Sequence, residues 1–315
     1  MRRLDFGNFE ESREEAEFHK LLNEAVLNLC YELPPAIRSE TLHFLYKYSD
    51  STTDSGFDYF KKYYSPCYTI LYWINENAQS LDWDDPLLEL LIQSHSSALL
   101  LYSLDDHLVD QSLKTTHSLL QLRTQTWERY SQAGRLFAKE IHGGISVRDD
   151  FVDRYFNSVR DDSYMETLEA YLDRFRLRMA TCSLQPYLLA RSFMTREQAE
   201  SVLKMYEAFG IAWRLLNDYQ DLEKDLENDT FSSMTYFLSN ADAMDWGSRG
   251  RSRILSCFEN FGLEFKISDR INSYLKEAAR IASELFLDHY ANCLLSMRIL
   301  IEPIPLSGAR DLTEI

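Results

Sequence analysis

The chain of 315 residues carries a net charge of −17, which excludes nucleic acid as a partner, because a phosphate backbone needs a basic surface. Five cysteines (Cys30, Cys67, Cys182, Cys257, Cys293) are odd in number and scattered without a CxxC pair. They read as free thiols in a reducing, cytoplasmic compartment, not as a disulfide framework or zinc site. No apolar leader opens the sequence, no apolar run approaches the ~20 residues of a membrane span, and few glycines (10) and prolines (7) favour long helices.

In chain order, residues 1–10 read as a flexible arm. An amphipathic helix is predicted over 10–33, stopped by Pro34-Pro35, and a shorter one over 36–48. The run 49–56 is a loop by composition. Residues 58–79 are helical and aromatic, with Pro66 as a kink. Asp84-Asp85-Pro86 is a helix start, and its helix runs to about Asp110. Further helices are predicted over 112–139, 148–159, 163–192, 195–228, 231–239, 250–261 and 267–300. Gly143-Gly144 and Asn240–Arg251 are loops between them. With no repeat, linker or alternating strand pattern, the prediction is one all-α domain, 1–315, a large helical bundle around a central cavity.

Asp105, Asp106 and Asp110 stand out, because they follow some twenty residues of helical pattern and so lie near a helix C-terminus. The helix dipole disfavours anions there. The other Asp-Asp pairs, at 84–85, 149–150 and 161–162, read as helix starts, where acidic side chains cap amides. At 100° per residue Asp106 and Asp110 share a face, with Asp105 displaced from them. Asn217, Asp221 and Asp225 lie at i, i+4 and i+8, a stripe of oxygen donors suited to a hard divalent cation. Lys224 falls on nearly the same face, whereas Asp218 points elsewhere. The alternative for each set is a solvated, charge-rich helix face.

Asp105-Asp106-His107-Leu108-Val109-Asp110 resembles the aspartate-rich motif, (D/N)DxxxD/E, of class I terpene synthases of the isoprenoid synthase superfamily. The run Asn217–Asp225 resembles their second metal motif, (N/D)DxxSxxx(E/D), and Arg214-Leu215-Leu216-Asn217-Asp218 is similar to the lead-in of plant and bacterial cyclases. Asp221 stands where that motif has serine or threonine. It makes the run look also like the second (N/D)DxxD of chain-elongating prenyl diphosphate synthases. Only 112 positions separate Asp105 from Asn217, short for a cyclase, and no Arg-Tyr pair of the bacterial-cyclase type follows. Residues 34–48 lack the GGKxxRP-like segment of elongating enzymes and offer only Arg38 as a candidate cation, and the arginines those enzymes carry just after the first motif are not visible, so a site for one diphosphate is expected, which favours cyclisation over coupling.

The resemblance implies Mg²⁺ as cofactor, three ions, with Mn²⁺ able to substitute. Their ligands would be Asp105 first, then Asp106 and Asp110, facing Asn217, Asp221 and Asp225. It implies a diphosphate-sensing arginine on a helix break upstream of the second motif, for which Arg178 is the choice and Arg174 the reserve. Thr181 and Cys182 would then hold the linker and effector positions. Lys224 and Arg214 are further cations for the diphosphate. Aromatic faces stabilise carbocations without attacking them, and the candidates near the motifs are Tyr72, Trp73, Tyr102, Phe175, Phe209 and Trp213. His107 reads as a helix-face histidine. Asn240–Arg251 and the N-terminal arm are candidates for a closing lid. The function implied is ionisation and cyclisation of a linear prenyl diphosphate with release of pyrophosphate, by a chain that could form homodimers. Prenyl transfer or chain elongation is the alternative, and a non-catalytic partner subunit a third.

Overall fold

The helix starts are set by side chains placed just ahead of them. Ser12 and Glu15 form a reciprocal capping box, Thr195 and Gln198 form another, and Asp85, Thr116 and Thr167 each cap a free amide. The computed structural model describes residues 3–52, 54, 56–78, 81, 82, 85–160, 165–260 and 262–301. Asp84, Asp161 and Asp162 lie outside the described residues.

Among the described residues there are fourteen α-helices and no strand. They are α1 (Arg13–Tyr31), α2 (Pro35–Tyr48), α3 (Ser65–Ala78), α4 (Pro86–Val109), α5 (His117–Lys139), α6 (Gly144–Arg160), α7 (Leu168–Arg178), α8 (Ala180–Phe193), α9 (Arg196–Gln220), α10 (Leu222–Glu227), α11 (Asn240–Ala243), α12 (Arg251–Asn260), α13 (Leu263–Glu284) and α14 (Asp288–Ser296). The predicted all-α bundle is what forms. At its centre α4 packs on α5, α1 and α8, while α9 packs on α8 and α13. By length and composition α4 could cross a membrane, but two thirds of its most apolar window (67%) is buried inside the protein. On α13 the buried residues Ile267, Ile271, Leu275, Ala278 and Ala282 recur every three or four positions, as a helix lying on a core demands. Each large one stabilises the fold by about 1.5–3 kcal/mol.

Several predicted boundaries move, each for a local reason. Pro66 does not kink a helix; it sits in the first turn of α3, where its missing N–H is no loss. Asp149 and Asp150 lie in the second turn of α6, which starts at Gly144, so they do not open it. The predicted helix 163–192 divides at Met179 into α7 and α8. The predicted helix 195–228 divides at Asp221 into α9 and α10, although Asn217 O and Asp221 O still accept the amides four residues on. The predicted helix 267–300 breaks after α13, where Phe286 takes a positive φ of 62°. Asn240–Arg251 is a loop only in part. It contains α11, and Arg251 is ion-paired to Glu223 and Glu227 of α10. All five cysteines are free.

The arm ahead of α1 is not loose over its described length. Leu4 and Phe6 are buried. Gly7 donates its amide to Met297 O at 3.0 Å, an approach so close that an added Cβ would lie 2.1 Å from Ser296 O. Gln220 holds Leu4 O at 3.1 Å, and Tyr64 donates its hydroxyl to Asp5 at 2.8 Å.

Candidate active site

The C-terminal ends of α4 and α9 meet the end of α2 and the stretch before α3 around an open cleft. Asp106 and Asp110 line it from α4; Asn217 and Asp221 line it from α9. Each pair has i, i+4 spacing, so each presents its oxygens from one helical face. Asn217 Nδ2 donates to Asp221 Oδ2 at 3.1 Å, which ties the second pair together. Lys224 and Arg214 also line the cleft and couple the two sides electrostatically. The Asp110 carboxyl is pulled below its usual range: burial opposes this, but hydrogen bonds from Ser112 and the nearby His107 and Lys224 outweigh it. Burial likewise opposes the charge of Arg214, yet Asp218, Tyr171, Tyr102 and Asp106 hold its guanidinium firmly protonated.

Not every predicted residue faces the cleft. Asp105 is gripped by Arg123 of α5 through two parallel bonds, 2.7 and 2.8 Å, and accepts the Tyr155 hydroxyl at 2.7 Å. Its carboxylate points toward α5 and α6, one helical step away from the face of Asp106. Asp225 follows the break at Asp221 and is also not among the cleft-lining residues. Burial, together with Asp218 and Asp221, pushes its carboxyl up to about 7, against a hydrogen bond from Ser232. Asp225 therefore stands one helical turn beyond Asp221, close enough to Asp221 and Arg214 to feel the charge of both.

The cations divide similarly. Arg214 is fixed by Asp218 at 2.9 Å and by the Tyr171 hydroxyl at 2.8 Å, with its guanidinium over the Phe175 ring at 5.8 Å. Arg178 ends α7 at the break, as expected of a residue on an interrupted helix. Its Nε is buried without a hydrogen-bond partner, and its charge reaches the Tyr102 hydroxyl. Arg174 donates to Ser158 O at 3.2 Å, so it braces α7 against α6. Thr181 is buried beside the break, and Cys182 lines the chamber described next.

Beneath the cleft is a narrow apolar chamber, walled by Leu99, Cys182, Met179, Tyr206, Phe209 and Gly210. Tyr63, Tyr64, Tyr102 and Trp213 line both spaces and form the neck between them. Of the predicted aromatics, Tyr102, Phe209 and Trp213 are thus chamber walls. Phe175 stands behind Trp213, with ring centres 6.3 Å apart. Tyr72 and Trp73 lie elsewhere. Tyr72 packs near Phe18 at 6.0 Å, while Trp73 donates to Glu15 at 2.9 Å and stacks on His289. They occupy the face of α3 that meets α1 and α14.

Sequence reasoning missed a hydroxyl cluster at the cleft. Tyr59 and Tyr63 share a 2.6 Å hydrogen bond, Tyr63 also meets Ser103, and Tyr48 bonds His107 Nδ1 at 2.5 Å. Ser103 was findable, since it lies three residues ahead of Asp106 on one helix. The tyrosines come from the end of α2 and from the stretch before α3, where no periodicity marks them.

Among the described residues no three carboxylate, histidine or cysteine side chains gather closely enough to enclose an ion alone. Two facing oxygen pairs suit Mg²⁺ in another way. Mg²⁺ is usually held by one or two carboxylates and completes its shell with water and substrate phosphates. The donor set fits an ion shared with a diphosphate.

No family model matches the chain, and no curated protein matches its sequence. Solved structures do match. The polyprenyl synthase from Caulobacter crescentus CB15, complexed with calcium and isoprenyl diphosphate, is 12% identical, with 92% of this chain and 100% of that one covered and a TM-score of 0.63. The geranylgeranyl pyrophosphate synthetase from Pyrococcus horikoshii Ot3 is 11% identical, with 89% and 97% covered and a TM-score of 0.62. A decaprenyl diphosphate synthase from Rhodobacter capsulatus is 14% identical, with 90% and 97% covered and a TM-score of 0.58. At these identities the likeness is one of fold: the chain has the all-α isoprenoid synthase fold.

Proposed function

We propose that the chain ionises an allylic prenyl diphosphate and transfers the prenyl cation to a second substrate, as a chain-elongating prenyltransferase. One observation carries this: two facing oxygen pairs, Asp106/Asp110 and Asn217/Asp221, stand at the mouth of an aromatic-necked apolar chamber. The diphosphate would lie among these oxygens with Lys224 and Arg214, and the hydrocarbon tail in the chamber. Mg²⁺ held by Asp106, Asp110, Asn217 and Asp221 would supply Lewis-acid charge to the departing diphosphate. The C1–O bond breaks and its electron pair leaves with the diphosphate. Tyr102 and Trp213 at the neck would then face the allylic cation, which their rings stabilise without trapping; the double bond of the second substrate forms the new bond to C1, and the cation so made loses a proton to the departed diphosphate.

Transfer is favoured over cyclisation by two features. Asp221, which lines the cleft beside Asn217, stands where the cyclase motif has serine or threonine and gives the run its (N/D)DxxD form. A second cleft adjoins the first, shares Tyr48 and Lys62 with it, and carries His43, Lys47 and Lys114 beside the carboxylates of Glu40 and Asp50, the latter paired with Lys62. Lys47 and Lys114, where the sequence offered only Arg38, suit a second diphosphate. The solved structures similar in fold are, by name, enzymes that make prenyl diphosphates, which supports the same choice. Cyclisation remains the second reading, on the strength of the missing GGKxxRP-like segment.

The experiment is incubation with Mg²⁺ and C10, C15 or C20 allylic diphosphates, with and without isopentenyl diphosphate, followed by analysis of products. Longer diphosphates formed only with isopentenyl diphosphate are expected. Hydrocarbon or alcohol released from the allylic substrate alone would replace transfer by cyclisation. No turnover by folded protein would leave the partner-subunit reading standing.

A further inference from the structure

The chamber walls differ in freedom. Tyr206 is tethered, its hydroxyl donating to Cys67 O at 2.8 Å, and Leu99 and Phe209 are each only 2% exposed in the core. Met179 is different. It is the single residue between α7 and α8, directly after Arg178, and its unbranched side chain lines the chamber. The thioether lies in a notch that exists because residue 210 on α9 has no side chain. A Cβ built on Gly210 would fall 2.1 Å from Met179 Cε and 2.2 Å from Sδ, with Phe175 Cε1 behind at 3.8 Å. Three rotatable bonds let methionine fill or leave such a gap at little cost.

We infer that Met179 and Gly210 together set the length of prenyl chain that the chamber takes. Seated over Gly210, the thioether closes off part of the chamber beside α9. Removing it lengthens the space open to the tail, whereas filling the notch drives it inward and shortens that space. The two substitutions therefore have opposite signs, which simple loss of packing would not produce. This inference rests on the reading of the chamber as the site of a prenyl tail.

The test compares wild type with Met179→Ala, Gly210→Ala and the double variant. The readout is the ratio of kcat/KM for C20 over C15 allylic diphosphate, with isopentenyl diphosphate present. Methylene-scale changes in an apolar pocket shift such ratios by about tenfold or more. Met179→Ala should raise the ratio by about tenfold and Gly210→Ala should lower it by a similar factor. The double variant should return toward wild type, because the new methyl occupies part of the vacated volume. Calorimetry with unreactive C15 and C20 thiodiphosphates should give affinity ratios that move the same way and reports on folding as well. Should Met179→Ala not fold, Met179→Val carries the same sign. An active wild type whose ratios stay within twofold in every folded variant overturns the inference. A wild type that neither binds the thiodiphosphates nor turns over any prenyl diphosphate overturns the underlying reading instead.

Discussion

Asp105 is held by Arg123 through a two-bonded pair, Nε to Oδ1 at 2.7 Å and Nη2 to Oδ2 at 2.8 Å, while the next residue, Asp106, lines the cleft. Adjacent aspartates on one helix thus take different roles because they face 100° apart. The Asp105 side chain is 18% exposed, so its loss leaves a partly buried guanidinium unpaired. Asp105→Asn is expected to lower stability by about 1–3 kcal/mol while leaving the Mg²⁺ dependence of turnover nearly unchanged. Chemical denaturation and a Mg²⁺ titration of activity check the two halves separately.

Asp106→Asn and Asp110→Asn should behave in the opposite manner. Each is expected to reduce kcat/KM by at least about 10²-fold, the scale of losing one group that stabilises developing charge. Thermal stability should hold or rise in Asp106→Asn, since an anion near a helix C-terminus is unfavourable, and should fall slightly in Asp110→Asn, because Ser112, His107 and Lys224 hold that carboxyl below its usual range. Steady-state kinetics beside a melting curve is the measurement.

Scarce proline and glycine announced long helices, and capping residues such as Ser12, Asp85 and Thr195 marked their starts. The breaks at Met179, Asp221 and Phe286 were hidden, because none has a glycine or proline; packing of neighbouring helices imposes them. Helical spacing grouped Asp106 with Asp110 and Asn217 with Asp221. It could not show that Arg123, on another helix, claims Asp105, or that α3 turns Tyr72 and Trp73 toward α1 and α14. Those facts depend on which helices become neighbours, which a single helix's periodicity does not contain.

The same logic separates the members of the second motif. Asn217→Ala removes a donor that lines the cleft and should abolish measurable turnover. Asp225→Asn replaces a carboxyl that burial already pushes up to about 7, and it should retain activity within about tenfold of wild type. Activity assays at saturating Mg²⁺ decide this.

Binding to the native state alone raises stability by mass action. Mg²⁺ together with inorganic pyrophosphate should therefore raise the wild-type Tm by a few degrees. Neither component alone should do so, because the cleft offers too few oxygens to hold the ion without a phosphate. The shift should vanish in Asn217→Ala and on addition of a chelator. Differential scanning fluorimetry gives the answer directly.

Glu207, near the middle of α9, offers a pH test remote from the cleft. Burial pushes its carboxyl up to about 7, against the pull of Arg176 and Arg154. The unfolded chain keeps the ordinary value, so the native state retains a proton that the unfolded chain loses first. Stability from this group is full below about pH 4.5 and is lost as the pH rises through about 7. Glu207→Gln keeps the neutral form at every pH. The variant should match wild type below pH 4.5 and exceed it by about 1–3 kcal/mol above pH 7, as read from denaturation curves across that range.

The hydrogen bond from Gly7 to Met297 also bears on how the protein is made. Leu4 and Asp5, which tie down Gln220 and Tyr64 at the rim of the two cavities, belong to a segment anchored on residues synthesised about 290 positions later. At translation rates of about 5–20 residues per second, that contact waits roughly 15–60 s for its partner to leave the ribosome. Until then Leu4 and Asp5 lack that anchor. An N-terminal arm a few residues long thus owes its place beside the cleft to the helix that is made after all the other described helices.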